Sequence, residues 1–161
     1  MTITTAPSST VSSNPARTIF WAGLIAGTLD LTAACVVSWL RAGVTPIRVF
    51  QSVASGLFGA SSFAGGTKTA ALGVIFHFII AATAAAVYYL ASRRIKFLVQ
   101  QPVIAGLIYG VFVYFFMNFV VIPLSNVPKR PVPLSGRIIG LVIIVFCIGL
   151  PIAAIVKRSS K

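Results

Sequence analysis

The stretch TIFWAGLIAGTLDLTAACVVSWL, residues 18–40, is an apolar run whose length matches the thickness of a lipid bilayer. Roughly 20 helical residues are enough to cross the hydrocarbon layer of a membrane. In the middle of this run lies Asp30, the only acidic residue of the whole chain. The run therefore predicts a transmembrane helix, and it raises the question of why the single carboxylate lies inside it.

Three further runs have the same character, and together the four runs decide the fold class. They cover residues 69–92, 103–124 and 138–156. The chain is 58% hydrophobic and 9% charged, with a mean hydropathy of +1.00, which leaves too little polar surface to cover four such helices in water. We therefore predict an all-α polytopic membrane protein with one transmembrane domain, residues 17–158, and no soluble domain.

Two segments lie outside the runs. Residues 1–16 are rich in Ser, Thr and Pro and carry no charge, which predicts a disordered tail rather than a signal peptide. Residues 46–58 follow a Thr-Pro helix-start pattern and place apolar side chains at helical spacing, which predicts a short amphipathic helix. About a dozen residues cannot span a bilayer, so this helix either lies flat at the interface or re-enters the membrane. Both interpretations remain open.

The net charge of +12 comes from basic residues in short loops beside the runs. This arrangement indicates anchoring to a bilayer with anionic headgroups, and no extended basic surface indicates a nucleic acid partner. With four spans both termini lie on one side, which carries seven basic residues against six on the other. The clusters RRIK (93–96) and KRSSK (157–161) adjoin their spans and favour cytoplasmic termini. The near balance leaves dual insertion open.

Asp30 lies on a face of small residues, which is where membrane helices approach closely. His77, the only other ionisable residue in the runs apart from cysteine and tyrosine, also has small neighbours at helical spacing. At about 1.5 Å per residue, Asp30, His77 and Asn118 all fall within about one turn of the midplane. The sequence therefore predicts an intramembrane polar cluster of Asp30, His77, Asn118 and Tyr114.

Glycines at helix-packing spacing accompany this cluster. The candidates for close contact between helices are Gly23, Gly27, Gly106, Gly110, Gly136 and Gly140. Four of them belong to an internal echo, AGLIAG at 22–27 and AGLIYG at 105–110. This echo would fit a duplicated two-helix hairpin.

A charge at mid-bilayer costs about 3 kcal/mol on insertion scales, so Asp30 must be protonated or paired. One interpretation is a proton relay in a small transporter or channel subunit. The other is a purely structural hydrogen-bond cluster in an accessory or assembly subunit of a larger complex. A third makes His77 an axial ligand to haem or a chlorophyll-like pigment, which nothing else in the sequence favours.

No metal, cofactor or enzymatic activity is predicted. Cys35 and Cys147 do not have the spacing of metal ligands, and we interpret them as free cysteines that pack inside the bundle. One histidine and one carboxylate are too few ligands for a typical zinc site. No nucleophile elbow, P-loop or dinucleotide fingerprint occurs in the chain.

Four spaced motifs carry a resemblance to a known class of protein. They are QSVASGLFG (51–59), GG (65–66), GVIFHF (73–78) and YFFMNFVVIPLS (114–125). Over residues 20–156 the chain resembles small bacterial four-helix inner-membrane proteins of unknown function. The resemblance implies a multi-pass protein of the bacterial inner membrane and brings no activity with it. We expect a homo-oligomer or a larger membrane complex, because four thin helices enclose little volume.

Overall fold

A computed structural model describes residues 14–129 and 131–160, and this part of the chain contains helices and no strands. Four of the described helices are long and apolar enough to cross a membrane: α1 (Pro15–Ala42), α3 (Gly66–Ser92), α5 (Pro102–Leu124) and α6 (Leu134–Ser159). Two shorter helices connect them: α2 (Pro46–Phe58) and α4 (Phe97–Gln100). The predicted all-α polytopic fold is confirmed, and the protein is a multi-pass membrane protein.

The first span begins earlier than its apolar run predicts. Asn14 caps α1, because its side-chain oxygen accepts a hydrogen bond of 3.0 Å from the backbone N–H of Ala16. Pro15 then occupies the first helical position, where its missing N–H costs nothing. Of the tail predicted to be disordered, residues 1–13 lie outside the described part of the chain.

The other spans also extend past their apolar runs. Lys68 and Arg137 lie inside the first turns of α3 and α6, and Arg41 lies in the last turn of α1. A helix keeps its backbone N–H and C=O groups bonded to each other through the membrane interface, so the helix does not end where the apolar residues do. Long basic side chains at these ends can reach the headgroups.

The bundle consists of two antiparallel helical hairpins. In each hairpin the two helices cross in close contact at a pair of glycines. In the first, a Cβ at Gly23 would lie 2.7 Å from the Ala82 Cα, and one at Gly27 would lie 3.0 Å from the Ala81 Cβ. Only glycine lets α1 and α3 approach this closely.

The second hairpin joins α5 to α6 in the same way. A Cβ at Gly106 would lie 3.0 Å from the Ala153 Cβ, and one at Gly110 would lie 2.6 Å from the Val145 Cα. Gly149 on α6 lies against the Gly106 carbonyl in the same contact. Both halves of the AGLIAG and AGLIYG echo therefore form the crossing of a hairpin.

The core lies in the half of the bundle that contains the chain ends. Its buried members come from α1, α3, α5 and α6: Ala22, Ala26, Ala85, Tyr88, Tyr89, Ala105, Ile148, Ile152, Ala153 and Val156. Two tyrosines at this core form hydrogen bonds to backbone carbonyls of other segments. The Tyr88 hydroxyl donates to the Leu98 carbonyl at 3.0 Å, and the Tyr109 hydroxyl donates to the Ala84 carbonyl at 2.7 Å. The Tyr109 hydrogen bond thus connects α5 of the second hairpin to α3 of the first.

Both helices of the second hairpin contain a π-helical segment. The segments are Met117–Val121 in α5 and Val145–Gly149 in α6. Each is followed two residues later by a proline, Pro123 and Pro151. A proline inside a helix lacks the N–H and clashes with the carbonyl four residues earlier, which a wider π turn relieves.

The amphipathic helix α2 covers the end of the bundle opposite the chain ends. A Cβ at Gly73 of α3 would overlap the Phe50 carbonyl, so the two helices touch backbone to backbone. The Phe58 and Phe76 rings lie 6.2 Å apart, and the Asn126 amide donates to the Leu57 carbonyl at 2.9 Å. α2 therefore bridges the start of α3 and the end of α5, just beyond the level of His77.

Candidate intramembrane Asp–His site

The crossing of α1 and α3 brings Asp30 and His77 together. The Nε2 atom of His77 lies 3.9 Å from Oδ2 of Asp30, which is ion-pair distance and longer than a direct hydrogen bond. Gly27 makes this possible, because a larger residue there would push α3 away from α1. The only carboxylate of the chain thus faces the only imidazole.

The shortest bond of His77 is to the backbone. Its Nε2 lies 2.9 Å from the carbonyl oxygen of Gly27. A carbonyl can only accept, so Nε2 carries the proton in this arrangement. In the neutral ring Nδ1 is then an acceptor, and protonating the ring adds a second donor there. His77 can therefore hold the α1–α3 contact in either charge state.

Both side chains are mostly withdrawn from the surface of the protein. The exposed fraction is 13% for the His77 side chain and 17% for the Asp30 side chain. The Phe78 ring packs edge-on against the imidazole, with ring centroids 5.6 Å apart. A titratable pair in such surroundings interacts more strongly than it would in water, because apolar neighbours screen charge poorly.

Two members of the predicted cluster do not join the pair. The Asn118 side-chain amide donates to the Tyr114 carbonyl of its own helix at 2.9 Å, and the Tyr114 ring packs near Gly140 of α6. Asn118 lies in the π segment of α5, whose wider turn changes the direction in which its side chains point. Among the described residues, the polar site is therefore the pair Asp30–His77 and not a cluster of four.

Sequence reasoning missed one contact beside the pair. The π segment of α6, which contains Cys147, packs against α1. Cys35, on α1, is half-buried. The sequence held no signal that distinguished the two thiols, because the face that α6 turns toward α1 depends on its proline-linked π turn.

Metal binding has little support from the geometry. Within residues 14–129 and 131–160, no three His, Cys, Asp or Glu side chains form a group that could hold an ion. The face of α3 that carries the small neighbours of His77 packs against α1 at Ala81 and against α2 at Gly73.

The glycines singled out by spacing divide into two groups. Gly23, Gly27, Gly106 and Gly110 form the two crossings described above. Gly136 meets only Val132 and Pro133 of its own turn, because it lies in the first turn of α6 at the end of the bundle. A Cβ at Gly140 would lie an ordinary 3.6 Å from the Tyr114 ring. Outside the four crossing glycines, the tightest contacts between two helices occur instead at Gly73 and Gly149.

Comparison of this chain with protein-family models, with curated proteins and with solved structures finds no match in any of the three.

Proposed function

We propose that this membrane protein is a small proton-linked transporter or channel subunit in which Asp30 and His77 exchange a proton. The observation that carries the proposal is the 3.9 Å approach of His77 Nε2 to Asp30 Oδ2, halfway along spans that contain no other acid or histidine. Ionisable pairs inside a bilayer are costly, and they commonly mark paths for ions or protons.

The geometry supports a relay with a small movement. The two atoms are too far apart for direct transfer, so a ring rotation or one intervening water would complete the path. The ring nitrogen nearest to Oδ2 is Nε2, which donates to the Gly27 carbonyl, so this hydrogen bond has to open while a proton passes between His77 and Asp30. An imidazole is suited to this exchange because each of its two ring nitrogens can bind or release a proton.

A second candidate function is an accessory or assembly subunit of a larger membrane complex. The same His77–Gly27 hydrogen bond favours it, because that bond ties α1 to α3 with no need for a proton to move. α5 also leaves an aromatic surface uncovered by the rest of the bundle, with Phe112, Phe115 and Phe119 about half exposed or more. Such a surface suits a second copy or another subunit as well as it suits lipid.

Proton flux into vesicles of the reconstituted full chain tests the proposal. A pH-sensitive dye inside the vesicles reports acidification after a pH step. We expect Asp30→Asn and His77→Gln each to lower the rate to that of protein-free vesicles while the yield of folded protein stays near normal. Asn118→Leu is the matched control, because Asn118 is polar and mid-span but bonds only its own helix.

Two results would contradict the relay. The first is wild-type flux no faster than that of protein-free vesicles, with other subunits co-purifying in fixed ratio, which is the result expected of an assembly subunit. The second is unchanged flux in both Asp30→Asn and His77→Gln. In the cell we propose the bacterial inner membrane as the location, with both termini in the cytoplasm.

A further inference from the structure

A cleft of about 990 Å³ opens at the end of the bundle that α2 covers. It lies between the end of α1, one face of α2 and the 3₁₀ helix Gly59–Ala64 that follows α2, with Val127 of the loop after α5 on the far side. This volume is at the upper end of the range for small-ligand sites, about 300–1,000 Å³. Its polar lining comes from Ser38, Thr45, Arg48, Ser52 and Ser55.

Arg48 gives the cleft a cation that no carboxylate side chain of this protein neutralises. Asp30, the only acidic residue, is part of the pair with His77 in the membrane. The Arg48 guanidinium carbon lies 5.3 Å from the centroid of the Phe63 ring, so a cation–π contact covers one face of the guanidinium. Its N–H donors lie in the guanidinium plane and bind no other residue among those the structure describes.

Further donors surround Arg48. Thr45 precedes α2 but makes no capping hydrogen bond, so no side chain accepts from the first-turn N–H groups of Ile47 and Arg48. The hydroxyls of Ser38 and Thr45 bind no other described residue. Ser52 and Ser55 differ, because their hydroxyls already donate to carbonyls of α2 at 2.6 and 2.7 Å.

We propose that this cleft binds an oxyanion, either a phosphate or a carboxylate group, through Arg48 and the start of α2. The planar arginine fork matches two oxygens of such a group, and a helix N-terminus adds favourable partial charge. A monatomic anion would use only part of this donor set. The inference concerns binding alone and does not depend on proton exchange at Asp30 and His77.

Calorimetric titration of the full chain in an uncharged detergent tests the site. The probes are inorganic phosphate at constant ionic strength and short-chain phosphatidylglycerol, with phosphatidylcholine as the zwitterionic reference. We expect Arg48→Gln to weaken binding about tenfold or more, as for loss of a charged hydrogen-bonding partner. Arg48→Lys, which keeps the charge but not the fork, should be intermediate. Arg137→Gln is the matched control, since Arg137 lies at the same end of the bundle outside the cleft.

The two probes distinguish a soluble anion from a lipid headgroup. Phosphate binding that needs Arg48 indicates a soluble oxyanion, and binding of phosphatidylglycerol alone, with the same need, indicates a headgroup. Ser38→Ala is a second and milder variant, and we expect it to weaken the same probe. The proposal is wrong if neither probe binds, or if Arg48→Gln and Arg137→Gln bind both probes as the wild type does.

Discussion

In both hairpins the two helices cross at a pair of glycines, but the residue about one turn beyond the second glycine differs between them. In α1 the residue three positions after Gly27 is Asp30, and in α5 the residue three positions after Gly110 is Val113. Asp30 faces His77, whereas Val113 packs against the apolar core. The second hairpin shows that a close crossing needs no polar pair. The pair in the first hairpin is therefore not explained by packing alone.

The hairpins also differ in the regularity of their helices. α1 and α3 are α-helical over their described length, while α5 and α6 each contain a π segment ahead of a proline. The regular pair thus holds the ionisable groups, and the irregular pair packs beside it. The backbone on both sides of the Asp30–His77 pair is therefore regular α-helix.

The largest effect is expected from moving the carboxylate to the other hairpin. Val113→Asp would put an acid at the position that corresponds to Asp30, with no ionisable partner on α6 facing it. We expect it to reduce membrane insertion by about 3 kcal/mol on insertion scales. Val113→Leu keeps the site apolar and serves as control. An aspartate tolerated as well as leucine at this position would remove the distinction between the two hairpins.

A smaller effect is expected from adding one methyl group at each crossing glycine. At Gly23 and Gly110 the added Cβ would lie only 2.7 and 2.6 Å from a backbone Cα, and alanine there should lower the free energy of unfolding by about 2 kcal/mol. At Gly27 and Gly106 the added Cβ would be 3.0 Å from its nearest neighbours, and we expect a cost of about 1 kcal/mol or less. Unfolding in mixed detergent micelles measures all four.

The measurement tests above all which of the two glycines in each hairpin gives the larger loss of unfolding free energy. The more sensitive glycine should be the first of the pair in α1 and the second of the pair in α5. Gly140→Ala is the control, because its new Cβ would have only an ordinary 3.6 Å neighbour. Equal losses of unfolding free energy at all four crossing glycines would contradict the difference in contact distance between the two glycines of each pair.

The smallest effect is expected where the hairpins join each other. Tyr109→Phe removes the hydrogen bond from α5 to the Ala84 carbonyl and leaves the ring in place. Hydrogen bonds between membrane helices contribute about 0.6 kcal/mol on average, so a loss of that size is expected in the same unfolding measurement. Tyr114→Phe is the control, because the Tyr114 hydroxyl has no partner among the described residues. A loss as large in Tyr114→Phe would show that the 2.7 Å bond contributes nothing specific.

Sequence reasoning predicted much of the fold because the bilayer restricts the choices. A run of about 20 apolar residues has to be helical, since hydrocarbon offers no partner for backbone N–H and C=O groups. Thr45 and Pro46 predicted the start of α2 at the residue where it begins. The ends of the spans were less predictable, because hydropathy marks the edge of the hydrocarbon while the helices continue into the interface.

The site was predictable in part and for a different reason. Asp30 and His77 each lay on a small-residue face at similar depth, and the structure brings them within 3.9 Å of each other. Asn118 shared their depth, but the π turn before Pro123 gave its amide a partner on its own helix. Depth follows from counting residues along a helix, whereas the direction of a side chain depends on every irregularity before it.

The sequence by itself determined that this chain spans a membrane four times, that its cations lie at or beyond the ends of the apolar runs, and that its one side-chain carboxylate and its one imidazole lie near the middle of their spans. Only the tertiary structure decided that His77 bonds the Gly27 carbonyl, that the π segment of α6 packs against α1, and that an open cleft beside α2 is lined by Arg48. The physical reason is that composition and period act within one helix. Contacts between helices depend on their relative rotation and crossing, which are decided only when all the spans pack together.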